Sequence, residues 1–179
     1  GLVPTERIEA LVATVVERGG YVKNLHGQRE TYYQVNATYH SALGADDRSL
    51  LLARAIHLFM PGRPQVWYLD LFAGTNDHEA VARAGVGGHK EINRTNLTAE
   101  EVERRLAWPV VRDQLTLLRF RHASPAFGFD ARLEILPAPP GRLAWRWTGE
   151  GGATALLEAD LATRSFTVSD GEGNVVLAQ

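Results

Sequence analysis

The residues after Pro125 constrain the fold most strongly. LEILPAP, LAWRWTG, TALLEADL, SFTVSD and VVLAQ are short alternating runs, separated by Pro-Pro-Gly, Gly-Glu-Gly-Gly and Asp-Gly-Glu-Gly. A period of two with turn residues between the runs specifies strands joined by tight turns, so residues 125–179 read as a small antiparallel β module. Upstream the period is helical. Ile8, Leu11, Val12, Val15 and Val16 recur at helical spacing over residues 4–18, between Pro4 and Gly19-Gly20. Asp46 and Asp47 precede the apolar SLLLARAIHLFM, which Pro61-Gly62 stops. Thr98 and Glu101 form a T-x-x-E capping box for a helix around 99–106, and VVRDQLTLLRFRHA continues from Pro109 as another. The two textures meet near residues 124–130.

Between the helices lies PQVWYLDLF, apolar nearly throughout, the pattern of a strand buried on both faces. Gly-Thr-Asn-Asp follows it, which would put polar residues at the carboxyl end of a strand, where binding sites of parallel α/β proteins collect. Residues 19–45 have no sustained period and read as a long loop, held in order by Tyr21, Tyr32, Tyr33 and Tyr39. Residues 73–97 read as a Gly-rich polar excursion. The expected fold class is α/β plus all-β.

Charge excludes some partners. Nineteen Lys and Arg against 21 Asp and Glu leave a net charge of −2, and no basic stripe is interleaved with aromatics, so nucleic acid is not an expected partner. No apolar run approaches the roughly 20 residues needed to span a bilayer, so no membrane association is expected. The absence of cysteine excludes disulfides and thiolate metal sites within the chain and fits a reducing compartment. The chain opens GLVPTER, without an initiator Met or a signal pattern, and reads as cut from something longer.

The candidate chemistry is sparse. Six histidines are scattered with no H-E-x-x-H and no i, i+4 pair, so no metal or other cofactor is assigned. AGVGGHK is glycine-rich but follows a polar stretch rather than a strand, against a phosphate cradle. The N-x-T triplets at Asn36, Asn93 and Asn96 are read as chance. Glycoside chemistry needs two carboxylates flanking the scissile bond, and Asp70 and Asp77 are positional candidates, though Asp70 equally reads as a capped or ion-paired loop residue. Tyr32, Tyr33 and Gln34 suit either a sugar-binding wall or loop packing. Trp145 and Trp147, two apart on one strand face, suit either a carbohydrate-binding or interaction module or a packed core.

YYQVNATYHSALGADD, ARAIHLFMPGRPQVWYLDLFAGTND and EINRTNLTAEE, in this order after GLVPTERIEALV, resemble the C-terminal part of the sucrose phosphorylase group of glycoside hydrolase family 13, in the α-amylase clan. The motifs cover about residues 1–130, and the last fifty or so match only in kind. The resemblance implies a C-terminal remnant of a (β/α)₈ (TIM) barrel followed by a small antiparallel β domain. Residues 1–45 would be an insertion with a mobile acceptor loop, 46–124 the last helix-strand-helix of the barrel, and 125–179 the β domain. It also implies a cytoplasmic enzyme of carbohydrate metabolism that takes a sugar substrate and inorganic phosphate and releases glucose 1-phosphate.

The nucleophilic aspartate, the acid/base glutamate and the stabilising aspartate of that retaining mechanism belong to motifs upstream of GLVP, so no catalytic residue is assigned here and this piece alone is expected to be inactive. The upstream barrel half of the same polypeptide is then its obligatory partner. Carried over as substrate-binding residues are Tyr33 and Gln34 of the acceptor loop, and Lys90 and Arg94 of the loop that helps close the glucosyl pocket. The group typically has Leu-Asp-Leu before Tyr-Gln, where the Asp holds fructose hydroxyls; Thr31 stands in its place. G-H-K-E-I-N also replaces the usual G-R-D-I-N. Both departures look like relatives that phosphorolyse glucosylglycerate, which makes glycerate the expected acceptor, with sucrose phosphorylase proper as the alternative.

Overall fold

The computed structural model describes residues 3–24 and 32–179. Two interleaved units divide the chain: Gly1–Asp47 with Trp67–Arg105, and Arg48–Val66 with Leu106–Gln179. Residues 46–124 are therefore shared between the units.

In the second unit, helices α3 (Asp47–Phe59) and α7 (Pro109–Ala123) lie with a five-stranded antiparallel sheet. Its strands are β3 (Arg132–Ile135), β4 (Arg142–Thr148), β5 (Thr154–Asp160), β6 (Ser165–Asp170) and β7 (Val175–Ala178), in sequential order. All five apolar runs after Pro125 are strands. Asp160 and Asp170 lead the last two turns because each carboxylate accepts nearby backbone N–H groups, Ala162 and Thr163 in one case, Glu172 and Asn174 in the other. Ala155, Leu157, Ala159, Phe166 and Val168 make the buried face. Trp147 joins it, 6% exposed, with Nε1 donating to the Phe59 carbonyl at 2.8 Å and its ring 5.9 Å from that of Phe127. Packing against α3 therefore accounts for Trp147, as the core reading expects. Between α3 and α7, Arg54 is buried and donates to Gln114 Oε1 at 2.9 Å. Pro109 occupies the first turn of α7, where its missing N–H costs nothing, and Trp108 before it is extended.

The first unit starts with α1 (Thr5–Glu17) and then departs from expectation twice. Residues 19–45 are not one loop. Strands β1 (Tyr21–Asn24) and β2 (Tyr32–Asn36) pair antiparallel, with Tyr21 opposite Asn36, Val22 opposite Val35 and Lys23 opposite Gln34. The register slips so that Asn24 pairs with Tyr32, and Tyr33 is the extra residue of a bulge. The short helix α2 (Tyr39–Ala42) follows, capped by Thr38, whose side chain accepts from Ser41 N. The second departure is PQVWYLDLF. Trp67 is extended, but Tyr68–Leu71 is a helical turn, α4, and no described strand pairs with this segment. A strand exists only where a neighbour takes up its backbone N–H and C=O groups; lacking one, the segment satisfies them locally, as when Leu71 N and Phe72 N donate to the carbonyls of Trp67 and Tyr68. Leu69 still buries its side chain, at 1% exposure.

The excursion at 73–97 contains helix α5 (His78–Ala84) and a 3₁₀ turn, Gly88–Asn93. Helix α6 (Ala99–Leu106) carries the expected capping box: Thr98 N donates to Glu101 Oε2 at 2.8 Å and Glu101 N to Thr98 Oγ1 at 3.2 Å. Among the described residues no helix is long and apolar enough to cross a membrane.

Candidate functional site

Three stretches of the first unit, 36–41, 67–77 and 91–95, are tied into one rim by hydrogen bonds that mostly end on backbone atoms. Asn76 is its hub. Its Oδ1 accepts from Thr38 N at 2.8 Å, its N–H donates to Ser41 Oγ at 2.9 Å, and Nδ2 reaches the Arg18 carbonyl at 3.4 Å. Asp70 Oδ1 accepts from Tyr39 N at 2.7 Å. His40, 8% exposed, places Nδ1 3.1 Å from the Ala73 carbonyl and Nε2 3.1 Å from Asp47. Trp67 Nε1 donates to the Asn93 carbonyl, Tyr68 Oη to that of Thr95, and Asn93 Nδ2 to that of Ala37.

The backbone between α4 and α5 bends sharply to allow this. Ala73 has φ +49°, in the left-handed region that disfavours a side chain, and it is buried. Gly74 next to it has no room for a Cβ, which would collide with the Leu69 side chain. After this bend the Asn76 and Asp77 side chains bond within the rim.

Asp77 closes the other side. Its Oδ1 accepts from Ala80 N at 2.7 Å, capping α5, and Oδ2 accepts from Thr95 Oγ1 at 2.8 Å. These hydrogen bonds, the Ala80 amide first, hold its carboxyl below the usual range. Both weighed carboxylates, Asp70 and Asp77, are thus engaged as scaffold clamps. Next to them opens a hollow of about 370 Å³ lined by Leu69, Asn76, Asp77, His78, Thr95 and Arg105, among others. Among the described residues no group of three or more His, Asp or Glu side chains is placed to hold a metal ion.

Of the expected substrate residues, Gln34, Lys90 and Arg94 lie among the described side chains. Thr31 lies outside the described residues. Tyr33 sits at the bulge of β2, and its side chain is likewise outside the description. Gln34 is exposed on β2, and β2 runs alongside the Gly88–Asn93 turn that carries Lys90, also exposed. Arg94, just after that turn, pairs with Glu91 at 3.8 Å. The fold therefore brings the Gln34 strand and the Lys90 turn together. What the sequence reading missed is Asn76 as the hub; the AG-x-ND motif was its signal.

No family model matches the chain. Over 172 residues it is 59% identical to a sucrose 6(F)-phosphate phosphorylase of Ilumatobacter coccineus, covering 94% of this chain and 32% of that enzyme. A glucosylglycerate phosphorylase of Spirochaeta thermophila is 30% identical over 153 residues, covering 78% of this chain and 26% of the enzyme. The crystal structure of the sucrose 6F-phosphate phosphorylase from Thermoanaerobacter thermosaccharolyticum superposes with a TM-score of 0.88 and 33% identity, over 100% of this chain and 37% of that one. The chain thus spans about a quarter to a third of the length of these two relatives.

Proposed function

We propose, from the premise that the chain belongs to the sucrose phosphorylase group, that it forms the acceptor-side rim of a retaining α-glucoside phosphorylase. The whole enzyme would move a glucosyl group to inorganic phosphate, giving glucose 1-phosphate. The observation that carries this reading is the 59% identity along nearly the whole chain to an enzyme named for that kind of reaction. In it, the upstream part of the polypeptide completes a (β/α)₈ barrel and brings the nucleophile, the acid/base and the stabilising carboxylate, while residues 64–72 take up the eighth-strand position once neighbours exist to pair with them. The 179-residue chain by itself is inactive, because a covalent route without its nucleophile is closed.

The acceptor is an anion. Fructose offers neutral hydroxyls, and replacing an Asp by Thr31 removes a charge-assisted partner worth about 1.5–3 kcal/mol. For an anionic acceptor the same replacement removes a repulsion. Two acceptors fit. Glycerate follows from the sequence departures, and fructose 6-phosphate follows from the name of the relative at 59% identity, against 30% for the glucosylglycerate enzyme. The identities favour fructose 6-phosphate as the first reading and glycerate as the second.

Phosphorolysis by the full-length protein tests this. The expected order of kcat/KM is sucrose 6F-phosphate, then glucosylglycerate, then sucrose, and Thr31→Asp should raise sucrose relative to both anions. Sucrose as the best substrate refutes the anionic acceptor. Glucose 1-phosphate release above background by the 179-residue chain refutes its dependence on the upstream part.

A further inference from the structure

One side chain joins the two stretches that the resemblance assigns to the acceptor side and the glucosyl side of the substrate. Gln34 stands on β2, which ends at Asn36, and Lys90 and Arg94 stand on and just after the Gly88–Asn93 turn. Asn93, the last residue of that turn, extends Nδ2 to the carbonyl of Ala37, the residue after β2, at 3.2 Å. The backbone around Asn93 is held from elsewhere. The Ile92 carbonyl accepts from Asp77 N at 2.9 Å, the Asn93 carbonyl from Trp67 Nε1 at 2.9 Å and the Thr95 carbonyl from Tyr68 Oη at 2.6 Å. All three donors belong to residues 67–77. The end of β2 is fastened to the same segment, since Thr38 N donates to Asn76 Oδ1. Turn and strand are thus each anchored to 67–77, and the Asn93 amide closes the third side between them. The three anchoring bonds of the turn end on backbone carbonyls, so a change of the Asn93 side chain leaves them in place.

We infer that Asn93 is a positioning residue that sets the spacing between the acceptor strand and the turn that helps close the glucosyl pocket. This rests on the phosphorylase reading above. In a retaining route the glucosyl group is held on an enzyme carboxylate, and either phosphate or water takes it. The bond from C1 to the carboxylate breaks and one from C1 to the incoming oxygen forms. Water gives its proton to the acid/base residue, and hydrogen phosphate attacks through an oxygen that already carries charge. The product is glucose in one case and glucose 1-phosphate in the other. Water needs no contact with the acceptor strand, whereas phosphate must be held there in register with the glucosyl group. A strand that drifts from the turn therefore slows transfer to phosphate more than transfer to water.

The test compares Asn93→Ala and Asn93→Asp in the full-length enzyme with Thr98→Ala, which removes the cap of α6 and leaves Asn93 in place. The donor is the best of sucrose 6F-phosphate, glucosylglycerate and sucrose, and the readout is the ratio of glucose to glucose 1-phosphate at fixed inorganic phosphate. Asn93→Ala should raise that ratio about two- to tenfold, the range of one neutral hydrogen bond, and raise KM for inorganic phosphate by a similar factor. Glucose release in the absence of phosphate should stay near the wild-type rate. Asn93→Asp turns an oxygen toward the Ala37 carbonyl and should shift the ratio further. Thr98→Ala should melt lower yet keep the wild-type ratio. Melting curves establish that the Asn93 variants fold. An unchanged ratio in both of them overturns the inference while leaving the phosphorylase reading intact. So does an equal fall in glucose and glucose 1-phosphate, or a like shift in Thr98→Ala. A wild-type enzyme that releases no glucose 1-phosphate from any of the three donors overturns the phosphorylase reading and this inference with it.

Discussion

Asn76→Ala should loosen the rim at one identifiable point, the Thr38 amide. Thr38 is fully buried, its N–H donates to Asn76 Oδ1 at 2.8 Å, and removing that oxygen takes away the donor's acceptor. An unmet buried donor costs about 1–3 kcal/mol. With a tenfold change for each 1.4 kcal/mol, hydrogen-exchange protection of the Thr38 amide should fall by about 5- to 150-fold in the full-length protein. Asn76→Asp provides the internal control. It keeps an oxygen in the accepting position and sets a second carboxylate oxygen near the Arg18 carbonyl in place of Nδ2, whose contact at 3.4 Å is long for a hydrogen bond. Protection in that variant should stay within about fivefold of wild type. Hydrogen exchange read on peptides spanning β2 and α2 is the assay. Wild-type protection in Asn76→Ala, or equal losses in both variants, would refute the assignment of Asn76 as hub.

Two further expectations concern the second unit. His57 is held below its usual range of 6.5, by burial first and the Arg54 guanidinium second, and its Nδ1 lies 3.0 Å from Arg54 Nη1, which donates to the neutral ring. Because the fold favours the uncharged form, this contribution is complete above about pH 6.5 and is lost as pH falls through that value toward the lowered one. His57→Gln keeps an acceptor for Arg54 and cannot titrate, so melting temperature against pH should lose its step in that window; parallel curves would sink the idea. Trp147→Phe leaves the Phe59 carbonyl without its 2.8 Å donor and should cost about 1–3 kcal/mol in urea unfolding, a loss that a merely surface-lying tryptophan would not show.

The sheet was legible because every level of the sequence agreed on it. Alternation, Asp- and Gly-led turns and sequential pairing all describe the same five strands. The capping box at Thr98 was legible for a similar reason, since both partners of its hydrogen bonds sit three residues apart. PQVWYLDLF failed because an apolar run states only that a segment is buried. Whether it is strand or helix depends on neighbours, and Tyr68–Leu71 coils where no described strand pairs with it.

The rim hid for a different reason. Asn76 acts on the Thr38 amide and the Arg18 carbonyl, and backbone atoms leave no signature in a sequence, so only one end of each contact could be read. The hairpin was passed over because its residues show no sustained period: Asn36 is buried, while Tyr21 and Val35, on opposite faces, are equally exposed. The two failures have one physical root. A packed core repeats a period, whereas a binding rim turns polar groups inward against that period and holds them with long-range bonds to backbone. In this chain the residues that break the local pattern, Asn36, Asn76, the left-handed Ala73 and the tightly packed Gly74, are the ones that shape the rim.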